Sequence, residues 1–172
     1  MGTTNISAEE IIARLGLRPH PEGGYYVETD RQDPQIPTPF SNDEPRPLST
    51  SIYYLLKKDK PSGVIHTNKS ITYHLHHAGR AEYTLITPEN PPRIETKVIG
   101  PGEGETRMLL VGTGVWKMSR VVDGEEYCLI SEVVVPGFVW EDHRYLTLEE
   151  LEKLFDGDEE KIKQFSPHVK LD

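Results

Sequence analysis

The sequence predicts an all-β-dominated fold, a barrel or sandwich with one short helix near each end, and three observations carry that expectation. Ten short stretches read as strands, near residues 25–30, 49–57, 63–68, 71–78, 81–87, 93–99, 107–111, 115–122, 126–135 and 138–142. Turns rich in Gly, Pro, Asn and Asp separate them. Two helix-start signals flank this region, and no internal repeat interrupts it. Many short strands of this kind suggest a sandwich or a closed barrel.

The first helix is expected over 7–15. Ser7-Ala-Glu-Glu10 forms a capping box, Ile11, Ile12 and Leu15 form an apolar stripe, and Gly16 stops it. Asp33 to Pro47, with prolines at 34, 37, 39, 45 and 47, is the one long irregular segment. It reads as a surface loop or a lid over a barrel mouth, and for most of its length as a linker without function. Gly100-Pro-Gly102-Glu-Gly104-Glu precedes no helix and is acidic, so it reads as a hairpin turn and not a phosphate loop. Thr147-Leu-Glu-Glu150 starts a second helix over 148–155, with Leu148, Leu151, Leu154 and Phe155 on one face. The charged tail after Asp156 is expected to fray.

At 172 residues and 19.5 kDa the chain is expected to be one domain, with a core at about 15–146 and a C-terminal helix and tail at 147–172. A net charge of -9 and a sequence pI near 5.3 argue against nucleic acid, whose recognition needs clustered Lys and Arg. Cys128 is the sole cysteine, so no internal disulfide forms, a reducing compartment is suggested, and the thiol reads as a buried strand residue. No basic start followed by an apolar run, and no stretch of about eighteen apolar residues, points to export or a membrane span. The expectation is a soluble, intracellular protein, with the cytoplasm as its place and the nucleus as the alternative, and no membrane partner. A G-x-S-x-G elbow, a phosphate-cradling G-x-x-x-x-G-K-[ST] and a C-x-x-C zinc pair are all absent.

Chemistry concentrates between Gly63 and Gly79, which hold four of the seven histidines: His66, His74, His76 and His77. Strand alternation puts Thr72, His74 and His76 on one face and Tyr73, Leu75 and His77 on the other. Imidazole is the commonest metal ligand and titrates near neutrality, so an inward-facing set means metal or proton chemistry.

These residues resemble the first motif of the cupin superfamily, in which two His and a Glu join a His of a second motif to hold a metal. His66 and Gly79 match. The second ligand slot falls on Asn68, the Glu slot on Thr72, and the second motif's slots on Gly112, Gly114, Trp116 and Lys117. The closer resemblance is to a branch of small single-domain cupins classified as a domain of unknown function. It is carried by Leu17-Arg-Pro-His20-Pro-Glu22-Gly-Gly24-Tyr-Tyr26-Val-Glu28-Thr29, Ser49-Thr-Ser-Ile-Tyr53-Tyr-Leu-Leu56 and Val134-Val-Pro-Gly-Phe138, and it runs from about Leu15 to Leu146. It implies a double-stranded β-helix, or jelly-roll barrel, with the helices outside, and a homodimer.

Within that frame the sequence leaves three functions open, all centred on a small polar or anionic molecule bound inside the barrel. One is a metal-independent isomerase or epimerase, with His66 as proton acceptor beside His74, His76 and Tyr53. Another is an enzyme with a rebuilt metal site on His66, His74 and His76. The last is a non-catalytic binding module. Lys117, Trp116, Tyr53, Asn68, Thr72, His74 and His76 are the candidate ligand-binding residues, with Lys117 expected to point inward and Trp116 elsewhere. No cofactor is expected, a divalent metal being the alternative. Thr72 lacks the charge of a carboxylate and the Lys117 ammonium opposes a cation, so no ion is expected to be held tightly through the usual slots.

Overall fold

The computed structural model describes residues 6–38, 40, 44–60 and 62–170. Helix α1 (Ala8–Leu15) begins at the predicted capping box, where Ser7 and Glu10 satisfy each other's backbone N–H groups. It ends at Gly16, whose φ of 66° is the left-handed conformation that glycine adopts without strain. Helix α2 (Leu148–Phe155) repeats the device with Thr147 and Glu150. The third helix, α3 (Glu159–Phe165), replaces the expected frayed tail. Phe165 stacks on Phe155 at 5.6 Å and is buried, an anchor that its charged neighbours conceal in the sequence.

Thirteen strands are described in chain order: β1 (Arg18–Pro19), β2 (Tyr25–Arg31), β3 (Gln35–Ile36), β4 (Arg46–Pro47), β5 (Thr50–Lys57), β6 (His66–Asn68), β7 (Ile71–Gly79), β8 (Ala81–Thr87), β9 (Arg93–Ile99), β10 (Met108–Val111), β11 (Trp116–Val121), β12 (Tyr127–Val135) and β13 (His143–Tyr145). A six-stranded sheet runs β1-β2-β5-β12-β7-β10 and a five-stranded sheet runs β13-β6-β11-β8-β9. Their ladders are antiparallel, and the fold is the predicted β-dominated jelly roll.

Three local expectations need correction. Residues 138–142 are not a strand: after Pro136-Gly137 the chain makes a 3-10 turn at Trp140–Asp142, and pairing resumes only at His143. The stretch at 100–105 is not a hairpin turn, because β9 pairs with β8 and β10 with β7, so it carries the chain between sheets. Within the irregular segment, β3 and β4 pair as a small ribbon; Pro39 lies outside the described residues.

Period-2 alternation then assigns faces. On β5, Tyr54 and Leu56 join the barrel core, while Tyr53 and Leu55 pack outward under α1. On β11, Trp116 and Met118 face outward toward α2 and α3, and Val121 joins the core. The interior is apolar over part of its length, around Tyr83, Leu85, Ile99, Leu109 and Ile130, and polar elsewhere. Cys128 lies in the apolar part, where burial raises its thiol pKa to about 12. It should therefore resist alkylating reagents in the native protein and react fully in denaturant; rapid native labelling would contradict this packing.

Candidate functional site

The polar part of the barrel encloses a cavity of about 370 Å3. Glu22 enters it on a tight turn. The Glu22 N–H donates to His20 Nδ1 at 3.1 Å, the Glu22 carbonyl accepts from Val64 N–H at 3.0 Å, and Tyr54 donates its hydroxyl to the Gly23 carbonyl at 2.8 Å. Gly24 has a φ of +72°, and a Cβ there would stand 2.6 Å from the Leu55 carbonyl oxygen. Gly24→Ala is accordingly expected to lose about 1–2 kcal/mol from conformation alone, with the backbone clash in addition. An unchanged melting temperature would show that the turn can shift.

His66, on β6, faces Glu22, with Nε2 3.3 Å from Oε2. Its Nδ1 lies 2.8 Å from the Val64 carbonyl. A carbonyl only accepts, so Nδ1 carries the proton. His143, the first residue of β13, places Nε2 2.5 Å from Glu22 Oε1, and its ring stacks on that of His66 at 5.2 Å. Burial pulls the His66 pKa down to about 4 against the opposing pull of Glu22. Burial pushes Glu22 up, but His66 and the hydrogen bond from His143 outweigh it, leaving its pKa at about 2. At neutral pH a neutral imidazole thus turns its Nε2 lone pair toward an ionised carboxylate.

That arrangement fits a cation. Two acceptors 3.3 Å apart repel unless something positive lies between them, and ligands about 2.0–2.1 Å from a tetrahedral ion stand roughly 3.4 Å from each other. One ligand atom from each of Glu22, His66 and His143 lies within 4.8 Å of the others. Two imidazoles and a carboxylate suit a divalent transition ion.

Against a second wall, Lys117 donates to His74 Nε2 at 2.7 Å and to Glu132 Oε2 at 3.3 Å. The His74 ring is 0 % exposed, with Nδ1 3.2 Å from the Leu109 carbonyl, so both of its nitrogens are occupied. Burial pushes the Glu132 pKa up, but Lys117 outweighs it and holds it well below the usual carboxylate range. The ammonium that was expected to repel a metal is therefore balanced by its own carboxylate.

Of the candidate residues read from sequence, His66, Asn68, Thr72 and Lys117 line the cavity. His74 sits behind it, bonded to Lys117. His76 shares the inward face of β7 but lies toward the apolar part, opposite Ile130, with Nε2 2.8 Å from the Gly79 carbonyl and Nδ1 3.3 Å from Arg107. The set His66, His74 and His76 is therefore not a shared coordination site. Tyr53 points away and packs on His77, its place in the cavity taken by Tyr54. Trp116 lies outside under Arg144, whose guanidinium is 4.9 Å from its ring centroid. Sequence reasoning missed Glu22, His143 and His20 as site residues. The His20-Pro-Glu22-Gly-Gly24 run carried a signal, a charged residue in a turn forced tight by glycines, while His143 carried none.

The remaining wall is the segment Phe138–Glu141, including Trp140, which is 50 % exposed. Asp142 fixes it through a bidentate pair with Arg46 of β4, at 2.7 and 3.0 Å, both groups being buried. The irregular segment is thus tied to the cavity wall.

An antiparallel jelly roll with an ionisable cavity inside defines the cupin class of protein. The family model described as Cupin superfamily (DUF985) matches residues 9–146, and the chain belongs to that family. It is 34% identical over 157 residues to the uncharacterised protein YML079W of Saccharomyces cerevisiae, covering 81% of this chain and 75% of that one. Among solved structures, a hypothetical protein from Leishmania major superposes with a TM-score of 0.83 at 30% identity, over 93% of this chain and 98% of that one. Protein SO0799 from Shewanella oneidensis does so with a TM-score of 0.77 at 25% identity, over 93% and 97%. No described helix is long and apolar enough to cross a membrane.

Proposed function

We propose that this barrel is a metal-dependent small-molecule site, in which Glu22, His66 and His143 hold a divalent transition ion and the rest of the cavity receives a small polar ligand. The observation that carries this is the Nε2 lone pair of His66 turned toward the Glu22 carboxylate at 3.3 Å, with Nδ1 already committed to Val64. The charge balance of the lining agrees: Glu22, Glu28, Glu132 and Glu141 outnumber Arg31 and Lys117, four to two. A bound ion of this kind supplies Lewis-acid polarisation of a ligand oxygen or activation of a water. The protein's residues do the rest. The Glu22 turn fixes the carboxylate, Val64 fixes the tautomer of His66, and the apolar packing beneath limits water.

Metal analysis of purified protein, followed by Co(II) titration monitored by visible absorption, tests this reading. One ion per chain is expected for the wild type and none retained by Glu22→Gln. A wild-type protein that takes up no divalent ion would return the cavity to the metal-independent reading, with His66 as base.

A further inference from the structure

We propose that the cavity carries an oxyanion subsite, built from the Asn68 amide, the Thr72 hydroxyl and the Lys117 ammonium, beside the proposed metal position. Its ligand is then a small carboxylate or phosphate with an apolar or ring-shaped remainder. This rests on the reading of Glu22, His66 and His143 as a cation site, which sets the sign of the field the anion meets.

Strand register brings the three donors together. Lys117 is paired with His66 across β11 and β6, and its ammonium reaches His74 of β7 at 2.7 Å. Asn68 lies two residues beyond His66 on the same face of β6, and Thr72 lies two residues before His74 on the same face of β7. Asn68 closes β6 and Thr72 is the second residue of β7, so both stand near the Lys69–Ser70 connection, Asn68 roughly 7 Å along β6 from the level at which Lys117 pairs with His66. All three line the same cavity.

Each has a donor to offer there. Asn68 Oδ1 accepts the Ser70 N–H at 2.7 Å, which leaves its amide nitrogen for the cavity. Lys117 has three N–H groups and two protein partners, His74 and Glu132. Thr72 contributes a rotatable hydroxyl. Donors grouped in this way suit oxygen atoms bearing negative charge.

The mouth specifies the remainder of the ligand. Phe138, Val139 and Trp140 line it, Trp140 being half exposed and 5.1 Å from the Phe138 ring centroid. A large exposed aromatic at a cavity edge offers a flat apolar platform to whatever projects outward. An anion entering alone would meet the excess of carboxylates, so metal should bind first and raise the anion's affinity.

The test is calorimetric titration of glycolate and, separately, inorganic phosphate into Co(II)-loaded and metal-free protein. The same titrations are then made on Thr72→Val, which keeps the shape and removes the hydroxyl, and on Asn68→Asp, which keeps the acceptor for Ser70 and replaces the donor with charge. Lys117 is left in place, because its removal would strand Glu132 and His74. One of the two anions should bind the loaded wild type more tightly than the metal-free form, and each substitution should weaken it about tenfold while Co(II) absorption is retained. Which anion prevails distinguishes carboxylate from phosphate. Binding that is independent of metal yet weakened by both substitutions would keep the subsite and sink the metal reading. Anion affinity unchanged in both variants, or no binding of either anion up to millimolar concentration, would overturn the subsite.

Discussion

Replacing His143 by alanine is expected to lower divalent-ion affinity by at least about 100-fold, since even the outer partners of a metal ligand are worth 10–100-fold and His143 Nε2, which donates to Glu22 in the ion-free site, becomes a direct ligand once its proton moves to Nδ1. The companion variant His76→Ala should bind the ion as the wild type does. His76 shares a strand face with His74, but its nitrogens face the Gly79 carbonyl and Arg107 and not the cavity. Co(II) absorption titrated in the two variants separates the arrangements. Equal loss in both would favour a site on β7, and retention in His143→Ala would remove β13 from it.

The largest stability effect should come from Arg46→Ala. Arg46 and Asp142 are both buried, with side chains 5% and 1% exposed, and they form two hydrogen bonds across the cavity wall. Removing Arg46 leaves the buried Asp142 carboxylate with only the half-exposed Lys69 ammonium at 3.7 Å and no bidentate partner, which costs about 3–5 kcal/mol. For a chain of this length that is a fall in Tm of roughly 6–20 °C. Asp142→Ala should cost a similar amount, and the double variant less than the sum of the two, because neither charge is then left alone. The Arg46→Ala protein should also bind the ion more weakly, since Asp142 precedes His143 and its carbonyl accepts the Lys69 N–H at 3.0 Å. Additive losses in the double variant would show that the two side chains act independently.

The sequence by itself determined whatever depends on neighbours in the chain. Both capping boxes, the stop at Gly16, most strand positions and the opposite faces of Lys117 and Trp116 follow from spacing of three or two residues, whereas the choice of Tyr53 over Tyr54 for the cavity put the wrong tyrosine inside. Parity grouped Thr72 with His74 and His76 on one face, and the ligand slots of the family resemblance singled out His66 and Asn68. Parity could not say how far along the barrel each side chain would sit, and that distance separates His76, beside the apolar packing, from His66, in the cavity. Nor could it join a turn near the start of the chain to a strand near its end. Glu22 and His143 meet His66 only because β13 pairs with β6 and the Glu22 turn is tied to Val64. The same holds for α3, whose two apolar positions, Ile162 and Phe165, make a weak local signal until Phe155 covers them. Periodicity is written into each segment, whereas the energy of a charge in the barrel depends on what other segments place beside it, and only the tertiary structure supplies those partners.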